Sequence, residues 1–185
     1  MEPKSPEVTA LLARARAGDQ QALGTAYSAI YEELKRAARL QLRRGGEAFQ
    51  TTTLVHEAYL KLAGASKLTA TDRNHLLALS ARAMRQVLVD DARARKAAKR
   101  GSGIEPLTLG AALGADGRAV VEVLALDELL ESLQQADERA ARIVELRYFG
   151  GYSETEIARM LDISERTLRR DWRKARAFLL AELNV

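Results

Sequence analysis

The chain has 185 residues, 47% of them apolar and 29% charged, which suits one ordinary globular domain or two small ones. It has no cysteine and two histidines, which excludes a disulfide framework, a thiolate metal site and a histidine cluster. The opening "MEPKSPEVTALLARARAGD" has no apolar core of signal-peptide length, and nowhere do the roughly 20 apolar residues of a membrane span run together, so the sequence points to a cytoplasmic protein. The net charge of +4 hides a split: residues 1–100 hold 18 Lys or Arg against 10 acids, and 101–185 hold 11 against 15. Cations gather at the ends of two segments, which suits local contact with a phosphate backbone better than general solubility.

Apolar residues recur at helical spacing along nearly the whole chain, and no stretch alternates with a period of two, so an all-α protein is expected. A first helix is predicted over 6–17, stopped by Gly18, with Asp19 capping the next. That second helix runs to about Arg44 on a stripe of Leu23, Tyr27, Ile30, Leu34 and Ala38, and "GG" at 45–46 ends it. A third is predicted over 53–63, burying Leu54, Ala58 and Leu62. The fourth covers 72–99, with Leu76, Leu79, Ala83, Met84, Val87 and Leu88 inward and a basic end, "RARKAAKR". Residues 101–120 hold five Gly and one Pro and read as a flexible linker. Helices follow at about 121–135 and 137–149. Two small helical domains, 1–100 and 121–185, are the natural division.

"YSETEIARML" opens with Ser153 and carries Glu156 three residues later, the pattern of a capping box. A tight "LDIS" turn follows, and Ser164 is placed to cap another helix. A small Ala158 at the crossing, with Ile163 and Leu168 in the angle, makes this a helix-turn-helix. Asp162 stands where this turn usually prefers Gly, and Asp tolerates the left-handed conformation better than most residues. On the last helix Leu168, Trp172, Ala175 and Leu179 form one stripe, and Arg166, Arg169, Arg170 and Arg173 form another. Only Glu165 and Asp171 are available to pair with the cations, so the helix is expected to lie in a DNA major groove. Ser164, Arg166, Thr167, Arg169, Arg170, Arg173 and Lys174 are its candidate DNA-binding residues, the first near base edges and the later cations on phosphates.

With these motifs in place, the segments "FQTTTLVHEAYLKL", "RNHLLALSARAMRQVLVDDARARKAAKRG" and "RIVELRYFGGYSETEIARMLDISERTLRRDWRKARAFLLAEL" resemble the extracytoplasmic-function (ECF) group of bacterial sigma-70 factors. The resemblance implies an initiation factor without catalytic activity or cofactor. Its first domain would bind the clamp helices of the polymerase beta-prime subunit and open the minus-10 element. Its second would read the minus-35 element and contact the beta flap. Leu54, Val55, Glu57, Ala58 and Lys61 then become the candidate polymerase-binding residues, and promoter DNA and core RNA polymerase the partners. A Ser/Thr kinase or an anti-sigma protein would regulate such a factor.

Two departures from the family pattern stand out. Members generally carry acids before the "LVHEAYL" helix, whereas this chain has Gln50, Thr51, Thr52 and Thr53. The threonines either cap the helix or accept a phosphoryl group, which would add about −1.5 to −2 charge where the helix dipole favours it. Residues 60–147 also contain no Phe, Tyr or Trp for stacking on an opened strand. The loop at 64–74 is the candidate pocket for an extruded base, with Arg73 and Asn74 as polar readers. Arg82, Arg85, Arg93, Arg95, Lys96, Lys99 and Arg100 would supply backbone charge. "HEAYL" lacks the second His of a zinc-protease helix, and "GSG" follows no strand, so neither indicates an enzyme. A helix-turn-helix regulator binding an operator without polymerase is the competing reading, but it has no need of the basic end at 93–100. A sequestering adaptor would need no cationic stripe.

Overall fold

Among the described residues, Asp and Ser side chains cap five helices, at Asp19, Asp72, Asp137, Ser153 and Ser164. The structure, a computed structural model, describes residues 5–45, 50–66, 68–101 and 115–183, with side chains described over 7–42, 50–66, 68–97 and 124–182. Asp19 accepts from the Ala22 amide at 3.1 Å and opens α2 (Gln20–Ala29), while Gly18, at φ +104°, takes the left-handed conformation after α1 (Ser5–Arg16). Asp72 accepts from the His75 amide at 3.0 Å at the head of α5 (Arg73–Gly101). Asp137 accepts from the Ala140 amide at 3.0 Å at the head of α7 (Glu138–Tyr148). Each cap satisfies an amide that has no partner inside its helix, which contributes about 1 kcal/mol. The described residues hold nine helices and no strand, as expected of an all-α chain.

Two boundaries differ from the sequence expectation. The single helix expected over 20–44 is two, α2 and α3 (Tyr31–Gly45), broken at Ile30. Ile30 is 1% exposed, and its amide bonds to Tyr27 O rather than continuing the regular ladder. No Gly or Pro marks the break. It lets Tyr27 and Leu34 both reach the core, and the apolar period runs through it unchanged. The expected linker is shorter at both ends, because α5 reaches Gly101 and α6 (Ala115–Ala136) begins at 115. Extending an existing helix costs far less than nucleating one, so a helix grows backward from its packed part. The rest of the linker, 102–114, lies outside the described residues.

The core starts with Val8 and Leu12 on α1 and passes through Tyr27, Leu34 and Ala38 to α4 (Thr51–Ala63), where Leu54, Val55 and Ala58 are fully buried. It continues through Leu76, Met84 and Leu88 of α5 into Ile143 and Leu146 of α7. Ile157 of α8 (Glu154–Met160) and Leu168 of α9 (Glu165–Leu183) complete it. A smaller cluster joins Leu130 and Leu133 of α6 to Val144, Phe149 and Ala175. The segments before and after 102–114 thus share buried apolar surface.

The bend between α7 and α8 is held at Gly150, where an added Cβ would lie 2.4 Å from the Tyr152 ring and 2.7 Å from the Leu146 carbonyl oxygen. Gly150→Ala should therefore lower the unfolding free energy by about 1–3 kcal/mol through overpacking. Urea denaturation checks this, and an unchanged midpoint would contradict so close an approach.

Candidate nucleic-acid interface

The helix-turn-helix forms from the residues that marked it. Ser153 Oγ accepts from the Glu156 amide at 3.3 Å and the Glu156 carboxylate accepts from the Ser153 amide at 2.7 Å, a complete capping box on α8. Asp162 sits at φ +52°, the left-handed turn position, and the Ile163 amide bonds back to Ala158 O at 3.0 Å. Ser164 Oγ accepts from the Thr167 amide at 3.1 Å and caps α9; the two hydroxyls lie 2.9 Å apart. Ala158 is buried beside Leu168, which is 0% exposed.

Around α9 the inner stripe is Leu168 and Ala175, both fully buried, with Trp172 and Leu179 half-buried. Arg166, Arg173 and Lys174 are exposed on the outer side and, among the described residues, make no ion pair. Arg173 instead donates to Arg169 O at 3.4 Å. Arg169 and Arg170 face outward as expected but are held by carboxylates. Arg169 donates to Glu154 and Glu165, each at 2.9 Å, and Arg170 donates to Asp171 at 3.1 Å. Glu154 also accepts from Arg147 at 2.9 Å, and the Arg147 guanidinium lies 4.4 Å from the Trp172 ring centroid. Exposed pairs of this kind add little stability, but this chain of contacts links α7, α8 and α9 and orients the Arg169 fork. The hydrogen bonds from Arg169 and then Arg147 hold the Glu154 carboxyl below the ordinary carboxylate range.

Asp171 was expected on the polar face and is 1% exposed. It ties α9 to α7 by accepting from Arg139 at 2.7 Å. Its place was readable, since 168, 171 and 175 share the i, i+3, i+7 spacing of the buried stripe. Burial pushes this carboxyl up, but Arg170 and Arg139 outweigh it and hold it below its ordinary value.

The N-terminal candidates scatter. Arg73 pairs with Glu33, and Asn74 and Arg82 are half-buried in a cleft of about 230 Å³ shared with Arg142, Met160 and Leu161. This cleft opens toward α7 and α8; of the 64–74 loop expected to form a base pocket, Asp72 and Asn74 line it, while Ala70 is 0% exposed. Arg85 cannot meet a phosphate in this arrangement, because it is 5% exposed and bonded to Glu145 and Asp127. Arg93 and Lys96 are exposed, Arg93 reaching Asp127 at 3.2 Å, and Arg95 pairs with Asp91. The side chains of Lys99 and Arg100 lie outside the described residues.

On α4, Leu54, Val55 and Ala58, expected among the polymerase-contact residues, are buried in the core. The open face is Thr52, Thr53, His56, Leu60 and Lys61, with Glu57 half-buried and Lys61 bonded to Asp90 at 2.8 Å. The threonines do not cap the helix. Gln50 is the N-cap, it makes no side-chain cap bond, and the first turn, which begins at Thr51, holds no acid.

A helical chain ending in a capped helix-turn-helix, with a cationic helix on its surface, is the architecture of a DNA-binding factor. The family model for "ECF sigma factor" matches residues 5–185, and the chain belongs to that family, whose members are alternative sigma factors in transcription initiation. No curated protein matches it. Among solved structures, that of CnrH in complex with the cytosolic domain of CnrY aligns over 95% of this chain and 96% of that one, at 21% identity and a TM-score of 0.40.

Asp171 and Glu154 both have depressed folded-state pKa values. The stability they add is present above the unfolded carboxylate pKa of about 4 and is lost as pH falls through the lower folded values. Replacing both (Asp171→Asn with Glu154→Gln) should flatten the acid limb of a Tm-against-pH profile below about pH 4. An acid limb as steep as that of the parent chain would show that these carboxylates are not what titrates.

Proposed function

We propose that this chain works in the cytoplasm as a dissociable polymerase subunit, with residues 121–185 reading the minus-35 element and residues 1–100 docking polymerase and opening the minus-10 element. The observation that carries the DNA part is α9, whose apolar stripe is buried while Arg166, Arg173 and Lys174 stand exposed without ion pairs among the described residues. Polymerase docking follows from family membership, with the outer face of α4 as the contact. Promoter-dependent run-off transcripts should appear with core polymerase only when this chain is added; transcripts that do not require it would exclude the reading.

Within that assay Arg166 and Lys174 should behave differently. Arg166, at the start of α9, should lose about 1–3 kcal/mol of promoter discrimination on replacement by Ala. Lys174, further along, should weaken binding evenly across sequences and reduce the salt slope by about 1. Equal effects of both variants on all promoters would argue against base contact by Arg166.

We further propose that phosphorylation of Thr52 or Thr53 switches polymerase docking. Both are exposed in the first turn of α4, which has neither an acid nor a side-chain cap, so a phosphate there would meet unpaired amides and the positive end of the helix dipole. Thr51 is half-buried and less accessible to a kinase. Thr52→Glu with Thr53→Glu should tighten binding to core polymerase several-fold in a pull-down titration; affinity equal to that of the unmodified chain would dismiss the switch.

A further inference from the structure

Arg169, in the outer stripe of α9 and 59% exposed, is gripped from two helices. Its Nε donates to Glu154 of α8 and its Nη2 to Glu165 of α9, each at 2.9 Å. Both carboxylates are themselves held. The other Glu154 oxygen accepts from Arg147, and the other Glu165 oxygen accepts from Thr155, again at 2.9 Å each. Arg147 in turn lies against Trp172, the side chain that seats α9 on both apolar clusters. Nε and Nη2 share one edge of a guanidinium, so that edge is covered. Nη1, which donates to no described residue, is left with both of its hydrogens.

The charges of Arg147 and Arg169 balance those of Glu154 and Glu165, so this cluster has no net charge with which to draw a phosphate. A phosphate approaching Arg169 would be repelled by both carboxylates. A guanine edge is neutral, and its O6 and N7 accept from a guanidinium held in a fixed plane. Resting on the DNA-reading role given to α9 above, we propose that Glu154 is a specificity-determining positioning residue. With Glu165 it withholds Arg169 from the phosphate backbone and presents the Nη1 end of the fork to one guanine of the minus-35 element. Arg173 and Lys174, held by no carboxylate among the described residues, take the phosphates. Glu154 and Glu165 also stand in the first turns of their helices, where the dipole favours an acid. That role alone would affect stability and leave base preference untouched.

Transcription by core polymerase with this chain, on promoters randomised across the minus-35 element and scored by sequencing the transcripts, separates the two roles. Arg169→Ala marks the guanine, as the position whose preference it erases. Glu154→Gln should lower the preference at that same base pair about tenfold and leave the other positions unchanged. It should also steepen the salt slope of promoter binding by about 1, because Arg169 is then free to take a phosphate. An unaltered preference at that base pair, an equal loss at every position, or an unaltered salt slope overturns the proposal. Glu165→Gln, which removes the second carboxylate, should show the same signature and decides the matter if Glu154→Gln loses helical circular dichroism. If the parent chain gives no promoter-dependent transcript, the sigma-factor reading fails. The same duplex pool is then selected by binding to the chain alone, and the absence of a guanine preference that Arg169→Ala erases overturns this proposal as well.

Discussion

Trp172 touches both apolar clusters and carries the Arg147 guanidinium against its ring, so the orientation of α9 is decided at this side chain. On one side of it Leu168 enters the core that begins at Val8. On the other, Ala175 closes the small cluster around Phe149. Burial of this stripe is non-directional and scales with area. It therefore holds α9 in place while leaving the opposite face free to carry charge that has no packing role. Everything that the last helix can offer to a polyanion depends on that separation.

Charge is arranged by the same geometry. Asp171 lies within the apolar stripe and accepts from two guanidiniums, a directional tie between α9 and α7 that a purely apolar contact lacks. Glu154 does for the outer surface what Asp171 does for the inner one, holding Arg169 on one side and Arg147 on the other. A guanidinium whose plane is set by carboxylates loses less freedom when it meets a base edge or a phosphate. Arg166, Arg173 and Lys174 are held by no carboxylate among the described residues.

The outward faces of α4 and α5 differ in character. The outer surface of α4 is polar and small at its start, with Leu60 49% exposed further along. The α5 face expected to meet DNA is in large part engaged within the molecule, through Arg73 with Glu33, Arg85 with Asp127 and Glu145, and Arg95 with Asp91. The α4 face proposed for polymerase is therefore open, while part of the α5 charge proposed for DNA is paired within the molecule.

Much of the fold was legible one turn at a time. The caps at Asp19, Ser153 and Ser164, the left-handed turn at Asp162 and the two stripes of α9 all rest on contacts within a few residues, and such contacts leave their spacing in the sequence. The break at Ile30, the burial of Arg85 and the pairing of Arg169 with Glu154 did not show there. Periodicity gives the angle at which a side chain leaves its helix, and it is silent on which neighbour covers that angle. Arg85 reads as one more cation in a basic helix until α6 and α7 bring Asp127 and Glu145 against it. The sequence by itself thus determined the helices, their caps and the polarity of α9. Only the tertiary structure decided which charges stay in water, because that depends on carboxylates 42 and 60 positions away.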